Sequence, residues 1–314
     1  MQTGRQSELM LKSGVTNMRR FLSALFVISF AACGPASAER KAEHVFIISY
    51  DGGKPAVMKE CKMPELVKLA KKGAVTWDAQ TIYPSITLTS HTSMLTGYGP
   101  NKHKVLWNDW EPQRGMISSP TIFKLAKDNK LTTAMFVNKP KFIHLYQAKS
   151  LNNFSLPSYR SIDSANAAAD YIKARKPNLC FIHFADSDSA GHTYGWGSPQ
   201  QIEAFEEQDK ALKIIVDAIK DAGIEDDSVV IVSADHGGHA KTHGSNSPED
   251  MTIPWIVWGC GVKPDYRIEK KVTTYDTAAT ALWLLDIPLP GDIDGKPVTD
   301  AFNFHPTLSE SSLK

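Results

Sequence analysis

Short, continuous apolar segments alternate with amphipathic helical segments along most of this chain, and this alternation restricts the fold more than any other feature. The apolar segments are HVFIIS (44–49), LTTAMFV (131–137), LCFIHF (179–184), VVIVSA (229–234) and PWIVWG (254–259). Strands that are apolar on both faces are typical of a parallel sheet covered by helices on both sides. The sequence therefore predicts an α/β fold, a three-layer sandwich around a mostly parallel central sheet.

The segments between these strands carry recognisable helix starts. Ser119-Pro120 and Ser198-Pro199 each place a polar cap before a proline, and Asp276 precedes the apolar segment TAATALWLL. Because a polar side chain can accept an N-terminal N–H and proline fits the first helical turn, these positions predict helix N-termini. No repeat or low-complexity linker follows residue 39, so residues 39–314 are predicted to form a single domain.

Residues 18–40, MRRFLSALFVISFAACGPASAER, have the pattern of an export signal. A basic start precedes an apolar run, and Ala36-Ser37-Ala38 is an A-x-A cleavage site. The apolar run is too short to span a bilayer, so no transmembrane span is expected. We expect residues 1–38 to be removed, with Met18 as an alternative start, and the mature protein to be periplasmic or secreted. A lipoprotein signal with Cys33 lipidated is the weaker alternative.

The charge balance and the cysteine count exclude several classes of protein. The chain has 35 Lys and Arg residues against 34 Asp and Glu residues, which provides no electrostatic basis for binding duplex nucleic acid or a membrane surface. Cys61, Cys180 and Cys260 remain after the predicted cleavage, and none has C-x-x-C spacing. An odd number permits at most one disulfide, so no disulfide framework is expected.

Three of the apolar segments end in acidic motifs. HVFIISY leads into Asp51-Gly52-Gly53, LCFIHFA into DSDSAGH (186–192), and VVIVSA into DHGGHAKTHG (235–244). Ligand sites of open α/β sheets lie at the carboxyl ends of strands, so these carboxylates are expected to converge with the neighbouring histidines. Carboxylates alone would repel one another. Mixed Asp and His ligands therefore predict two divalent metal ions, with Zn²⁺ favoured over Mn²⁺, iron or cobalt.

Five motifs in order make the sequence similar to the alkaline phosphatase superfamily, specifically its nucleotide pyrophosphatase/phosphodiesterase branch. They are YDG (50–52), YPSITLTSHTSMLTG (83–97), DSAGH (188–192), SADHGG (233–238) and THG (242–244). The resemblance implies an alkaline-phosphatase-like fold. It also implies a two-metal hydrolase of phosphodiester or nucleotide pyrophosphate bonds that acts on a small-molecule phosphoester.

The resemblance also implies two sets of metal ligands. One set is Asp51, Asp235 and His236 with the oxygen of Thr87, and the other is Asp188, His192 and His243. Asp186 competes with Asp188, but the four-residue step from Asp188 to His192 lets both reach one ion from a single helical turn. His239 competes with His243, and the T-H-G context favours His243.

The segment YPSITLTSHTSMLTG holds the expected nucleophile. Local reasoning leaves Thr87 and Thr89 both open at the start of a helix closed by Gly97, where free N–H groups would face a phosphoryl group. The resemblance selects Thr87 and implies two in-line displacements through a phosphothreonine, with Asn108 hydrogen-bonded to a phosphoryl oxygen. Four other histidines are expected to be structural: His44, His91, His103 and His183. His91 is nearest to an exception, because it lies in this segment and could support the nucleophile turn.

Two departures from the family concern the substrate. Six residues separate His236 from His243, where nucleotide pyrophosphatases carry a large insertion. Thr89-Ser90 also replaces the family's Pro-Asn pair. The resemblance therefore does not by itself imply specificity for nucleotides.

Three alternatives to a phosphodiesterase stay open. A phosphomonoesterase is disfavoured because no arginine follows Thr87 before Arg114. A phosphonate hydrolase would use Lys139 and Lys141 of NKPK (138–141) to bind a substrate carboxylate, although two solvated lysines are the more ordinary interpretation. A non-catalytic exported metal-binding protein belongs to a different class. Sulfatases are excluded because no C/S-x-P-x-R motif occurs.

Overall fold

The computed structural model describes residues 40–304, so the predicted export signal, with Cys33, lies outside the described residues. The strands of the described part are His44–Tyr50 (β1), Ala74–Gln80 (β2), Thr133–Phe136 (β3), Asn153–Ser155 (β4), Leu179–Phe184 (β5), Ser228–Ala234 (β6), Thr252–Gly259 (β7) and Tyr266–Arg267 (β8). The α-helices are Pro55–Met58 (α1), Pro64–Lys72 (α2), Thr87–Thr96 (α3), Pro100–His103 (α4), Ile122–Asp128 (α5), Ser161–Arg175 (α6), Asp186–Tyr194 (α7), Pro199–Asp221 (α8), Pro248–Met251 (α9) and Asp276–Leu284 (α10). Short 3₁₀ helices cover Pro112–Arg114, Pro140–Leu145, Glu225–Asp227 and Thr299–Ala301.

All eight strands form one sheet in the order β4-β3-β5-β1-β6-β7-β2-β8. The five strands from β4 to β6 are parallel to one another, and β8 is parallel to β2. β7 runs antiparallel to both of its neighbours. The mostly parallel sheet expected from the sequence is confirmed, with β7 as its antiparallel member.

Two apolar cores, one on each face of the sheet, show why the central strands are apolar throughout. Along β1, Val45 and Ile47 belong to the core shared with α3, α5 and α10. Phe46, Ile48 and Tyr50 belong to the opposite core, shared with α2, α6 and α8. Because successive side chains of a strand point to opposite faces, β1 contributes to both cores. The predicted three-layer sandwich is confirmed.

The helix starts agree with the sequence at two of three positions. Ser198 caps α8 by accepting a hydrogen bond from the N–H of Gln201. α10 begins at Asp276 as expected, but Tyr275 and not Asp276 occupies its cap position. The expectation for Ser119-Pro120 was wrong, because α5 begins at Ile122 and the side chain of Thr121 accepts the capping bond.

Two further features concern the described residues alone. Within residues 40–304, no helix combines the length and apolar character required to cross a membrane. Cys61, Cys180 and Cys260 are free thiols.

Candidate active site

Three carboxylates meet at the carboxyl ends of the three central strands. Asp51 directly follows β1, Asp188 lies in the first turn of α7 after β5, and Asp235 directly follows β6. Because β5, β1 and β6 are neighbours in the sheet, these side chains lie at one edge. All three are at least 96% buried, with Asp51 and Asp235 at 0% exposure and Asp188 at 4%. Their convergence follows the rule for open α/β sheets.

Asp188 forms one group of potential metal ligands with His192 and His243. Its Oδ1 lies 3.4 Å from Nε2 of His192 and 3.7 Å from Nε2 of His243. One ligand atom from each of the three residues falls within 4.8 Å of the others. Asp188 and His192 are four residues apart on α7, so both side chains project from the same face of the helix.

A second group of potential ligands adjoins the first. One ligand atom each from Asp51, Asp188 and His236 falls within 4.8 Å of the others. Nε2 of His236 lies 3.4 Å from Oδ1 of Asp51 and 3.3 Å from Oδ2 of Asp235. All six Asp and His residues predicted as ligands are therefore brought together, and Asp188 lies within reach of both groups.

The donor atoms of this cluster fit a divalent cation. Oδ1 of Asp51, Oδ1 of Asp188, Oδ2 of Asp235 and Nε2 of His236 are buried and have no hydrogen-bond partner among the described residues. A buried polar atom without a partner costs free energy, and metal coordination removes that cost. Unpartnered carboxylate oxygens around imidazole nitrogens are a donor set that divalent metal ions bind.

The three predicted histidine ligands are oriented alike. Nδ1 of His192 lies 3.0 Å from the carbonyl of Lys241, and Nδ1 of His243 lies 2.8 Å from that of Ser85. Nδ1 of His236 lies 2.8 Å from the carbonyl of Gly237. A carbonyl can only accept, so each Nδ1 carries a proton, and each Nε2 faces the carboxylates and is the atom that would bind a metal ion. Metal-binding histidines are held in this way.

Lys139 lies inside this cluster. Its Nζ is 2.6 Å from Oδ2 of Asp51 and 2.6 Å from Oδ2 of Asp188, and its side chain is 13% exposed. Burial alone would lower the pKa of Lys139, but the charges of Asp51 and Asp188 outweigh burial and raise it. The interpretation of Lys139 as a solvated lysine was therefore wrong. Lys141 is half-buried, and its pKa is lowered by burial and by the charge of Lys139.

The buried carboxylates also perturb the histidines. Burial, with the charge of Asp51, raises the pKa of Asp235. Burial would lower the pKa of His236, but the charges of Asp235 and Asp51 raise it to about 9. Burial, with the charge of His236, lowers the pKa of His243 to about 4. Without an added cation, the three carboxylates thus draw positive charge onto Lys139 and His236.

Thr87 is the first residue of α3 and is 1% exposed. It does not cap the helix as expected, because Ile86 occupies the cap position. Gly97 ends the helix in the left-handed conformation, with φ 77°, as expected. Oδ1 of Asn108 accepts a hydrogen bond from the N–H of Leu88, which places Asn108 beside Thr87.

His91 joins Thr87 to the metal-ligand cluster. Its Nδ1 lies 2.8 Å from the carbonyl oxygen of Thr87 and 3.4 Å from Oδ2 of Asp235. Its Nε2 accepts a hydrogen bond of 2.8 Å from the hydroxyl of Ser49, a residue of β1. His91 therefore supports the turn that begins with Thr87, and the sequence made it the nearest exception among the four histidines expected to be structural.

The two competing ligand candidates have other partners. The carboxylate of Asp186 accepts hydrogen bonds from the backbone and the hydroxyl of Ser161, at the start of α6. Nδ1 of His239 lies 2.7 Å from Oδ1 of the buried Asp250. The structure thus places Asp186 and His239 outside the ligand groups that contain Asp188 and His243.

Sequence reasoning missed the role of His183. Its Nε2 donates a hydrogen bond of 2.8 Å to Oδ2 of Asp51, while its Nδ1 accepts one from the N–H of Asn138 at 3.4 Å. His183 is fully buried within β5. A histidine inside an otherwise apolar strand, three residues before an acidic motif, was the available signal.

Comparisons with known proteins bear on this site. The family model for type I phosphodiesterase/nucleotide pyrophosphatase matches residues 45–246. GPI ethanolamine phosphate transferase 1 of Saccharomyces cerevisiae is 24% identical over 225 residues, which are 63% of this chain and 24% of that protein. Human ectonucleotide pyrophosphatase/phosphodiesterase family member 1 is 24% identical over 199 residues, or 56% of this chain and 21% of that protein.

Solved structures share the fold. Murine ectonucleotide pyrophosphatase/phosphodiesterase 5, an inactive variant in complex with AMP, superposes with a TM-score of 0.71 and 14% identity. The superposition covers 83% of this chain and all of the murine chain. The curated relatives are much longer, since the matched regions span about a quarter of their length. The expected alkaline-phosphatase-like fold is confirmed.

Proposed function

The chain belongs to the type I phosphodiesterase/nucleotide pyrophosphatase family, and from this membership we propose that it is a metal-dependent phosphoesterase. It hydrolyses phosphodiester or nucleotide pyrophosphate bonds through a phosphothreonine intermediate on Thr87. The observation that carries the proposal is the set of buried, unpartnered oxygen and nitrogen atoms on Asp51, Asp188, Asp235 and His236. We assign two divalent ions, with zinc favoured, to the two predicted ligand sets.

The proposed metal ions would be held by Asp51, Asp235 and His236, and by Asp188, His192 and His243. When bound, divalent cations supply positive charge that lowers the pKa of a hydroxyl and neutralises phosphoryl oxygens. His183 fixes the orientation of the Asp51 carboxylate, and the backbone carbonyls bonded to the three histidines fix their tautomers.

The position of Thr87 at the start of α3 supports its proposed role as the nucleophile. Its hydroxyl lies at the positive end of α3, where the N–H groups of Thr87 and Thr89 have no partner among residues 40–304. These N–H groups would donate hydrogen bonds to phosphoryl oxygens. Asn108 accepts from Leu88 through Oδ1, so its side-chain NH₂ is the group that would stabilise charge on the transition state.

The reaction consists of two displacements. Oγ1 of Thr87 loses its proton and forms a bond to phosphorus, and the bond from phosphorus to the leaving oxygen breaks. Water then forms a bond to the same phosphorus, and the bond to Oγ1 breaks, which restores the threonine hydroxyl. The leaving oxygen takes up a proton, so the net reaction adds one water across the ester.

The substrate class rests on charge. No arginine follows Thr87 before Arg114 to bind the extra charge of a monoester, which supports a diester. The murine structure that shares this fold is in complex with AMP, which supports a nucleotide as a candidate substrate. Lys139 and Lys141 are proposed substrate-binding residues, and a phosphonate with a carboxylate is the alternative that they favour. Export to the periplasm or the exterior is proposed from residues 18–40.

The test is a substrate comparison on the purified protein with measured metal content. We expect hydrolysis of a bis-nitrophenyl phosphodiester and a nitrophenyl nucleotide ester in preference to a nitrophenyl monoester and phosphonoacetate. Thr87→Ala is expected to abolish turnover, because it removes the hydroxyl that is proposed to form the covalent intermediate. Thr92→Ala is the matched control, since its hydroxyl on the same helix donates to the carbonyl of Leu88 and should leave activity in place.

Three outcomes would contradict parts of the proposal. Metal-loaded protein without diester hydrolysis would exclude the phosphodiesterase assignment. Turnover of the monoester alone would identify a phosphomonoesterase, and turnover of phosphonoacetate alone would identify a phosphonate hydrolase. Full activity in Thr87→Ala would exclude the phosphothreonine.

A further inference from the structure

The indole of Trp196 lies in a slot that three glycines leave open. A Cβ built on Gly52 would lie 3.1 Å from Cζ2 of Trp196, and a Cβ on Gly191 would lie 2.9 Å from its Cδ2. A Cβ on Gly238 would overlap the ring. Gly52 follows β1, Gly191 lies on α7, and Gly238 follows β6. These are the three segments that carry the predicted metal ligands, and they share one tryptophan as a packing partner.

Two hydrogen bonds fix Trp196 in this slot. Its Nε1–H donates to the carbonyl of Gly52 at 3.1 Å, and its backbone N–H donates to the carbonyl of Ala240 at 2.8 Å. The indole N–H is a donor only, so the bond to the carbonyl of Gly52 determines the orientation of the ring. The side chain is thereby tied to the end of β1, and the backbone to the loop that carries His243.

The ring contacts two of the predicted metal ligands. Its centroid lies 5.4 Å from that of His192, with the planes at 85°, and 5.9 Å from that of His243, with the planes at 62°. These are edge-to-face arrangements, the favourable geometry for aromatic pairs. The side chain of His192 is 44% exposed and has one hydrogen bond through Nδ1 to fix it, to Lys241. Beside this bond and the 3.4 Å contact of its Nε2 with Asp188, the indole is a further contact that restricts its ring.

We propose that Trp196 is a positioning residue that holds His192 and His243 in the orientation that binds one of the two metal ions. This inference rests on the metal centre assigned under Proposed function. Trp196 has no ligand atom for a metal and acts through the two imidazoles. Its loss is expected to weaken the binding of the ion at Asp188, His192 and His243. The binding of the ion at Asp51, Asp235 and His236 is expected to be unchanged.

The first experiment measures zinc binding by calorimetry and bound zinc by elemental analysis. Trp196→Ala is expected to bind one ion as the wild type does and the other about tenfold or more weakly, the usual effect of losing a supporting residue. Trp196→Phe is expected to recover most of that affinity, because it restores the ring contact without the N–H. Trp77→Ala is the matched control, since Trp77 is also half-buried but lies on β2 against Lys59.

A double-mutant cycle with Gly238 separates positioning from general destabilisation. Gly238→Ala alone is expected to lower the affinity for the ion at Asp188, His192 and His243, because its methyl group displaces the indole. In the Trp196→Ala background the same substitution is expected to have no further effect on zinc affinity. Additive losses in the double variant would overturn the proposal.

The remaining outcomes separate the two proposals. Two ions bound with unchanged affinity by Trp196→Ala would overturn the role of Trp196 and leave the metal centre in place. A wild-type protein that binds no zinc and no other divalent cation would overturn the metal centre, and this role with it.

Discussion

At the residue scale, Lys139 places a positive charge between two of the three carboxylates of the site. Its ammonium group bridges Asp51 and Asp188 with two contacts of 2.6 Å in a buried environment. A buried charge is tolerated only when it is compensated, and removal of one member of such a group leaves the others unpaired. Lys139 therefore acts as an internal cation for two carboxylates that are also predicted metal ligands.

We expect Lys139→Met to destabilise the metal-free protein by about 3 kcal/mol, because Asp51 and Asp188 would then repel each other in the interior. Metal-loaded protein should lose less, since bound cations compensate the same carboxylates. Urea unfolding with and without a chelator measures both values. Lys141→Met, which removes a neighbouring lysine that has no ion pair among residues 40–304, is expected to change stability by less than about 0.5 kcal/mol. Equal losses with and without metal would contradict this prediction.

The acidic ligand candidates could be predicted from the sequence, but the residues that hold them could not. Asp51 and Asp235 directly follow apolar strands, a position that identifies them without any structure. The contact of Lys139 with Asp51 and Asp188, and that of His183 with Asp51, join segments that lie far apart in the chain. Sequence alone does not show that NKPK ends beside the cluster, because that depends on the neighbouring positions of β3 and β5 in the sheet.

At the element scale, the loop between β6 and α9 carries His236 and His243, and one buried residue fixes it. Oδ1 of Asp250 is 2.7 Å from Nδ1 of His239, and Oδ2 accepts a hydrogen bond of 2.8 Å from the N–H of Ser245. The backbone carbonyl of Asp250 accepts another from the N–H of Gly237. Asp250 is fully buried, so these bonds form away from water and determine the path of the loop.

We expect Asp250→Asn to weaken zinc binding by about tenfold and to reduce stability by about 2 kcal/mol. The amide keeps one acceptor oxygen but turns an NH₂ group toward a donor, either Ser245 or His239. Zinc titration and urea unfolding measure the two effects. Glu249→Gln is the matched control, because Glu249 is the adjacent residue and its side chain is exposed. Wild-type zinc affinity in Asp250→Asn would show that the loop is held by other contacts.

The elements that the sequence predicted and those it missed differ in burial and length. β1, β5 and β6 were predicted within one or two residues, because strands buried on both faces are apolar throughout. β2 was missed because AVTWDAQ mixes apolar and polar residues near the edge of the sheet. β4 and β8 have three and two residues, which is too short for any periodic pattern. The position of β7 was predicted but not its antiparallel direction, which apolar composition does not encode.

At the scale of the whole molecule, the proposed metal centre draws its ligands from segments that are far apart in the sequence. Its ligands come from the end of β1, from α7 and from the segment after β6, while Thr87 begins α3. The two cores lie on opposite faces of the sheet, and the ligand cluster lies at the edge where the central strands end. A bound cation would thus stabilise the folded state by joining segments that the unfolded chain leaves apart.

We therefore expect zinc at one hundred times its dissociation constant to stabilise the folded protein by about 2.7 kcal/mol per site. For a domain of this size, that corresponds to a rise in Tm of about 5–10 °C over chelator-treated protein. Thermal unfolding with zinc and with chelator measures the shift. Asp188→Asn, which alters the one carboxylate present in both ligand groups, should lose most of the rise. His44→Ala, at the end of β1 opposite to the ligand cluster, should keep it. The same rise in Asp188→Asn as in the wild type would place the bound zinc elsewhere in the protein.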